Sequence, residues 1–228
     1  MNRYTIRIAA VASLLIAASN AQANLLANGS FETPVGPIGG FTVFSVGSSA
    51  LTGWTVFGPA GKHVAITSGT FSQNGVSFPA QDGTQWLDLT GFNDNSTEGV
   101  SQAIATTVGH LYQLSLFVGN TTGGGIFGTT SIVNVLLNGV QTFADVNSTV
   151  SAATQNWQQF THTFIATGTS TTLGFQNGDP ASDNDNGLDN VVLVDLGAPV
   201  IGAPEPGLFA LFGIGLAAFG ITRRHKKA

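Results

Sequence analysis

Ile132-Val133-Asn134-Val135-Leu136-Leu137-Asn138-Gly139-Val140-Gln141-Thr142-Phe143-Ala144-Asp145-Val146 is the stretch that decides the class of fold. Two strand-length runs flank Asn138-Gly139, the residue pair that a type I′ turn prefers because both of its central residues need positive φ. A hairpin joining Ile132–Leu137 to Val140–Val146 is therefore predicted. Outward from it, Gln85-Trp86-Leu87-Asp88-Leu89, Tyr112–Val118, Phe160–Ile165 and Leu188–Val194 repeat the period of two, and none has helical spacing. Gly123-Gly124-Gly125 and Asn177–Asn186 read as loops. Many short strands without an internal repeat predict an all-β, two-sheet β-sandwich, a jelly roll.

Both ends of the chain read as an address. Met1–Ala23 has Arg3 and Arg7, an apolar stretch Ile8–Ala18, and Ala21-Gln22-Ala23, the small-x-small pattern cut by signal peptidase. The mature chain is thus expected to start at Asn24. The other end carries Pro204-Glu205-Pro206, uncharged and mostly apolar residues from Gly207, and the basic cluster Arg223, Arg224, Lys226 and Lys227. That apolar run is short for about 30 Å of hydrocarbon, and cations directly after it favour a cytoplasmic end. The expected organisation is a signal peptide over 1–23, a β-sandwich over 24–198, a linker over 199–206, a transmembrane helix over 207–222 and a basic cytoplasmic tail over 223–228. The tripeptide, apolar run and basic end resemble the PEP-CTERM sorting signal of Gram-negative bacteria. The resemblance implies recognition by an exosortase-type membrane enzyme, with the chain held in the inner membrane, its body periplasmic, until it is processed and passed to the cell surface or beyond.

Charge narrows the partners. Between Asn24 and Ala203 one cation, Lys62, stands against eleven acids, a net charge of −10. Nucleic acid is excluded as a partner, because phosphate binding needs clustered Lys and Arg. The absence of cysteine leaves an exported domain to rely on its core, or on metal ions.

Three passages carry a second resemblance. Asn24-Leu25-Leu26-Ala27-Asn28-Gly29-Ser30-Phe31-Glu32 with Gly53-Trp54, then Trp157-Gln158-Gln159-Phe160-Thr161-His162-Thr163-Phe164, then Gly187-Leu188-Asp189-Asn190-Val191-Val192-Leu193 are similar to the opening, late and closing motifs of galactose-binding-like domains and carbohydrate-binding modules. That resemblance implies a jelly roll, polysaccharide as ligand, and a structural Ca²⁺ shared by Glu32 and Asp189. Asn190 stands where relatives often have a second Asp, which removes one anionic ligand. The alternative is that Glu32 is a paired or solvated acid and Asp189 caps a turn.

Further candidates come from the residues themselves. Asp179, Asp183, Asp185 and Asn186 crowd one loop, but the residue at the twelfth EF-hand position is Leu193 rather than Glu, so the loop reads as solvated Asx turns with a second calcium site as the alternative. Trp54 and Trp157 hold positions that the resembling family uses for its core. Trp86 and Asp88 alternate away from Leu87 and Leu89, so they are expected to face out as a sugar-stacking aromatic with a polar neighbour; Tyr112 and Asn120 are weaker candidates. No nucleophile elbow, zinc motif or phosphate loop is present, and His162 in an alternating strand reads as a sheet residue. The expected function is non-catalytic polysaccharide binding in an exported matrix or cell-surface protein. The alternative is a structural or adhesion protein that carries sugar rather than reading it.

Overall fold

The computed structural model describes residues 23–91, 96–181 and 183–199. Among them there are thirteen strands and no helix, arranged as the expected antiparallel two-sheet β-sandwich. One sheet has six strands: β1 (Phe41–Ser45), β3 (His63–Ser68), β6 (Gln85–Asp88), β13 (Gly187–Gly197), β8 (Leu111–Asn120) and β11 (Asn156–Ile165), in that spatial order. The other has five: β10 (Val140–Asn147), β9 (Ser131–Leu137), β12 (Ser170–Asn177), β7 (Gly99–Ala105) and β2 (Thr55–Phe57). A small hairpin, β4 (Ser72–Gln73) and β5 (Val76–Ser77), stands apart from both.

The β9–β10 hairpin closes as its turn chemistry requires. Asn138 and Gly139 have φ of 53° and 80°, and Leu137 pairs with Val140. A bulge between Gln141 and Phe143 then shifts the register, an irregularity that period-two alternation does not reveal.

Alternate residues of both sheets meet in one hydrophobic core that includes Leu87, Leu114, Leu116, Val135, Phe175 and Leu193, all fully buried. Trp54 joins it between Phe31 and Phe175, at ring-centroid distances of 5.4 and 5.8 Å. A second, smaller cluster of Val76, Phe78, Trp86 and Phe127 lies apart from it, with Trp157 packed at its edge. Trp86 and Leu87 are consecutive on β6, so they point to opposite faces of the six-stranded sheet. The second cluster thus covers the outer face of that sheet.

Ala21, the sorting tripeptide and the apolar and basic tail lie outside the described residues. Among the described residues no helix is long and apolar enough to cross a membrane.

Candidate functional site

The opening motif ties the two ends of the domain together. The Leu25 N–H donates to the Leu193 carbonyl, and the Val191 N–H donates to Gly29, both at 2.9 Å. The Asn24 side chain accepts from the Leu193 N–H and donates to the Val191 carbonyl. A Cβ on Gly29 would fall 2.1 Å from the Val191 oxygen, so this approach needs glycine. Asn28 accepts from the Thr33 N–H and takes the Trp54 indole N–H on its carbonyl at 3.0 Å. This motif is core framework.

Glu32 and Asp189 both bond to the turn before β6. The Thr84 and Gln85 amides donate to Glu32 Oε1 at 2.9 and 3.0 Å, and the Thr84 hydroxyl donates to Oε2 at 2.6 Å. The Gln81 and Asp82 amides donate to Asp189 Oδ2 at 2.9 and 3.0 Å, and the Asn190 amide donates to Oδ1 at 2.7 Å. Burial pushes Asp189 up to about 7, against the pull of those amides. Every carboxylate oxygen already accepts an N–H or O–H, and as it stands the pair clamps the 81–85 turn. Asp189 capping a turn matches the alternative reading.

Trp86, Tyr112 and Asn120 are not exposed, which corrects the surface expected from alternation. Trp86 does leave the Leu87 face, but β4–β5 and the 123–128 loop cover it, and it is 1% exposed. Its indole N–H donates to the Phe78 carbonyl at 3.2 Å, and its ring stacks on Phe78 and meets Trp157 edge-on. The cover is pinned in turn, because Ser77 exchanges backbone hydrogen bonds with Ala153 and Gln155. Tyr112 lies in the main core, stacked on Phe164, with its hydroxyl donating to Asp195. Asn120 is fully buried and donates to the Thr149 carbonyl while accepting from Ser131. His162, as expected of a sheet residue, pairs with Asp145 at 2.7 Å and stacks on Phe143.

Of the four sugar-contact candidates, Asp88 alone keeps partial exposure, at a cavity of about 60 Å³ lined also by Phe41, Phe78, Trp86, Phe127 and Asp185. Its Oδ1 accepts from the N–H and hydroxyl of Thr90 at 2.9 and 2.7 Å. Behind it residues 183–186 turn inward, contrary to the solvated reading. Asp183 and Asp185 are buried, and so is Asn186. Neither oxygen of Asp185 has a hydrogen-bond partner, nor does the Asn186 Oδ1 or the Asp179 Oδ2. Burial, reinforced by the like charges of Asp88, Asp183 and Asp179, pushes Asp185 well above the usual carboxylate range. The Thr121 N–H opposes this weakly without making a hydrogen bond of ordinary geometry to either oxygen. Burial likewise raises Asp88 to about 7, Asp183 to about 6 and Asp179 to about 9. Sequence reasoning grouped the loop acids but did not connect them to Asp88.

A larger depression, about 340 Å³, lies on the outer face of the five-stranded sheet. Register places Leu136, Gly174, Ser101 and Thr55 in one cross-strand row, and Gln176, Gly99 and Phe57 in the next. Glycine in each row removes the side chain that would fill the middle of the sheet. A Cβ on Gly174 would lie 3.6 Å from Phe57 Cε1, and one on Gly99 would lie 2.9 Å from its Cζ, so the Phe57 ring lies across both. Thr172 and Gln176 border this aromatic floor. None of these residues was singled out from the sequence as a site candidate, although glycines in adjacent rows of paired strands are a signal that cross-strand register makes readable.

Halomucin of Haloquadratum walsbyi (strain DSM 16790 / HBSQ001) is 30% identical over 199 residues, 81% of this chain, and the chain spans only 2% of that relative's length. Solved structures similar in fold include the CBM22-1-CBM22-2 tandem domain of Paenibacillus barcinonensis Xyn10C (19% identity, 76% of this chain and 49% of that one, TM-score 0.44). Another is TmCBM61 in complex with beta-1,4-galactotriose (17% identity, 76% of this chain and 99% of that one, TM-score 0.43). A PEP-CTERM protein-sorting motif matches residues 203–224, which marks an exported protein. Residues 24–193 match the family described as "Protein of unknown function (DUF642)", and the chain belongs to that family.

Proposed function

We propose that this chain is an exported, non-catalytic polysaccharide-binding protein whose binding face is the Phe57 groove of the five-stranded sheet. The observation that carries the reading is the groove itself. At about 340 Å³ it falls in the roughly 300–1,000 Å³ range of small-molecule sites, whereas the Trp86 cavity, at about 60 Å³, is too small for a sugar ring. An aromatic plane stacks on the C–H face of a sugar, and Ser101, Thr172 and Gln176 offer hydroxyl and amide partners to its hydroxyls. Among the described residues no acid and no histidine lines the groove, which supports binding of a neutral glycan rather than its hydrolysis, since hydrolysis takes a carboxylate pair.

The sorting motif supplies the destination. An exosortase-type enzyme acts near Pro204-Glu205-Pro206, and before that step the apolar run with Arg223 and Arg224 holds the chain in the inner membrane. Afterwards the body works at the cell surface or in the extracellular matrix. Affinity electrophoresis of the full chain through gels containing neutral polysaccharides tests the reading. Retardation that Phe57→Ala reduces is expected. Equal mobility in every glycan would overturn it and leave a structural matrix role.

A further inference from the structure

We propose that the buried acids at one end of the sandwich form a site for a divalent, oxygen-preferring cation, Ca²⁺ in the first instance, held by Asp185 with Asp88 or Asp179 and the Asn186 side-chain carbonyl. The site is distinct from the Glu32 and Asp189 carboxylates and from the polysaccharide groove.

Unsatisfied buried charge is the first observation. Asp185 is 1% exposed and lines the cavity under Trp86, yet neither of its oxygens accepts a hydrogen bond. A buried carboxylate without a partner is far more costly than one that accepts backbone amides, as Glu32 and Asp189 do. Second, the neighbouring groups are of one kind. Asp88, Asp179 and Asp183 are close enough for their charges to act on Asp185. Lys62 is the only Lys or Arg between Asn24 and Ala203, so a second cation from the chain itself is not available to balance four carboxylates.

Third, the residue after Asp185 carries a buried neutral oxygen without a donor. The fully buried Asn186 commits its amide N–H₂ to the Ile132 carbonyl and Asn177 Oδ1, both at 2.7 Å, and its own Oδ1 has no donor. Carboxylate and carbonyl oxygens select a hard cation, and Ca²⁺ accepts irregular shells of six to eight oxygens completed by water. The adjoining 60 Å³ has room for about two waters at liquid density. Among the described residues no three acidic or histidine side chains converge on one point at ligand distance. The shell is therefore built from two carboxylates, the Asn186 carbonyl and water rather than from an all-protein cage.

The test uses the full chain in detergent, stripped with chelator and then titrated with Ca²⁺, or with Tb³⁺ as a luminescent substitute. Calcium at about 100 times its dissociation constant is expected to raise the melting temperature by about 5–10 °C. Tryptophan excitation is expected to sensitise Tb³⁺ emission, because Trp86 lines the same cavity as Asp88 and Asp185. Asp185→Asn should melt in chelator no lower than the unmodified chain, because it replaces an unpaired buried carboxyl by a neutral group of the same shape, and should lose both the calcium shift and the emission. Asp88→Asn should weaken the response at least tenfold. Glu32→Gln, Asp189→Asn and Phe57→Ala should keep it. Absence of any shift and any emission in the unmodified chain overturns the proposal. So does a response that survives both Asp185→Asn and Asp88→Asn, or one lost only in Glu32→Gln or Asp189→Asn. Since Phe57→Ala separates the groove from the cation, failure of either reading leaves the other standing.

Discussion

Glu32 and Asp189 grip the same turn from two sides: Glu32 accepts the amides of Thr84 and Gln85, and Asp189 accepts those of Gln81 and Asp82. The first and last segments of the domain are joined through that turn as well as through the backbone bonds of Leu25 and Val191. Hydrogen bonds to charged groups contribute about 1.5–3 kcal/mol each, and an abandoned buried N–H adds a desolvation cost. Asp189→Ala is therefore expected to lose about 2–4 kcal/mol of stability. Urea unfolding should show the same loss in chelator and in calcium.

Trp86→Ala is expected to destabilise the protein by about 3–5 kcal/mol, the cost of emptying a buried aromatic site. Trp86→Phe should retain most of that stability, although the indole bond to Phe78 is lost. Urea midpoints at constant slope check this. Polysaccharide retardation should be unaffected in Trp86→Phe, because the ring is 1% exposed and lies on the other sheet.

Gly174→Val probes the groove without backbone strain. The first added carbon meets Leu136 Cβ at 3.4 Å and Phe57 Cε1 at 3.6 Å, ordinary contacts, and the rest of the side chain occupies the depression. It should abolish glycan retardation with little change in melting temperature. Phe57→Ala should weaken binding about tenfold, in line with the loss of one stacked aromatic surface.

The raised acids give stability a definite dependence on pH. Asp88 and Asp179 rise from an ordinary 3.8 to about 7 and about 9, so between those limits the folded chain holds protons that the unfolded chain has released. Their contribution is fully present below about pH 4 and is lost as pH rises through the folded values. In chelator the melting temperature is therefore expected to fall across that window. Calcium should flatten the slope if it replaces those protons, and Asp185→Asn should reduce it. Scanning calorimetry from pH 5 to about 9 reads all three.

Some of this was legible in the residues. Asn138-Gly139 specified its turn locally, because the positive φ of both residues is a property of two side chains and their own backbone. Alternation placed Trp86 on the face opposite Leu87, and that is where it lies. Alternation did not reveal that β4–β5 and the 123–128 loop cover that face, so burial of Trp86 escaped it. Asp88 was noted for its place beside Trp86 and Asp185 for its crowded loop; nothing in either stretch joins them.

By itself, then, the sequence determined the strand pattern, the hairpin turn, the acidic balance and the export address, since each depends on residues adjacent in the chain or on composition. Tertiary structure alone decided which face of each sheet meets water. It also decided that Glu32 and Asp189 hold amides, that Asp185 is buried unpaired beside the Asp88 cavity, and that Phe57 lies across Gly99 and Gly174. The physical reason is that period-two patterning fixes the side of a strand to which a residue points, while desolvation and pairing depend on segments brought there from distant parts of the chain.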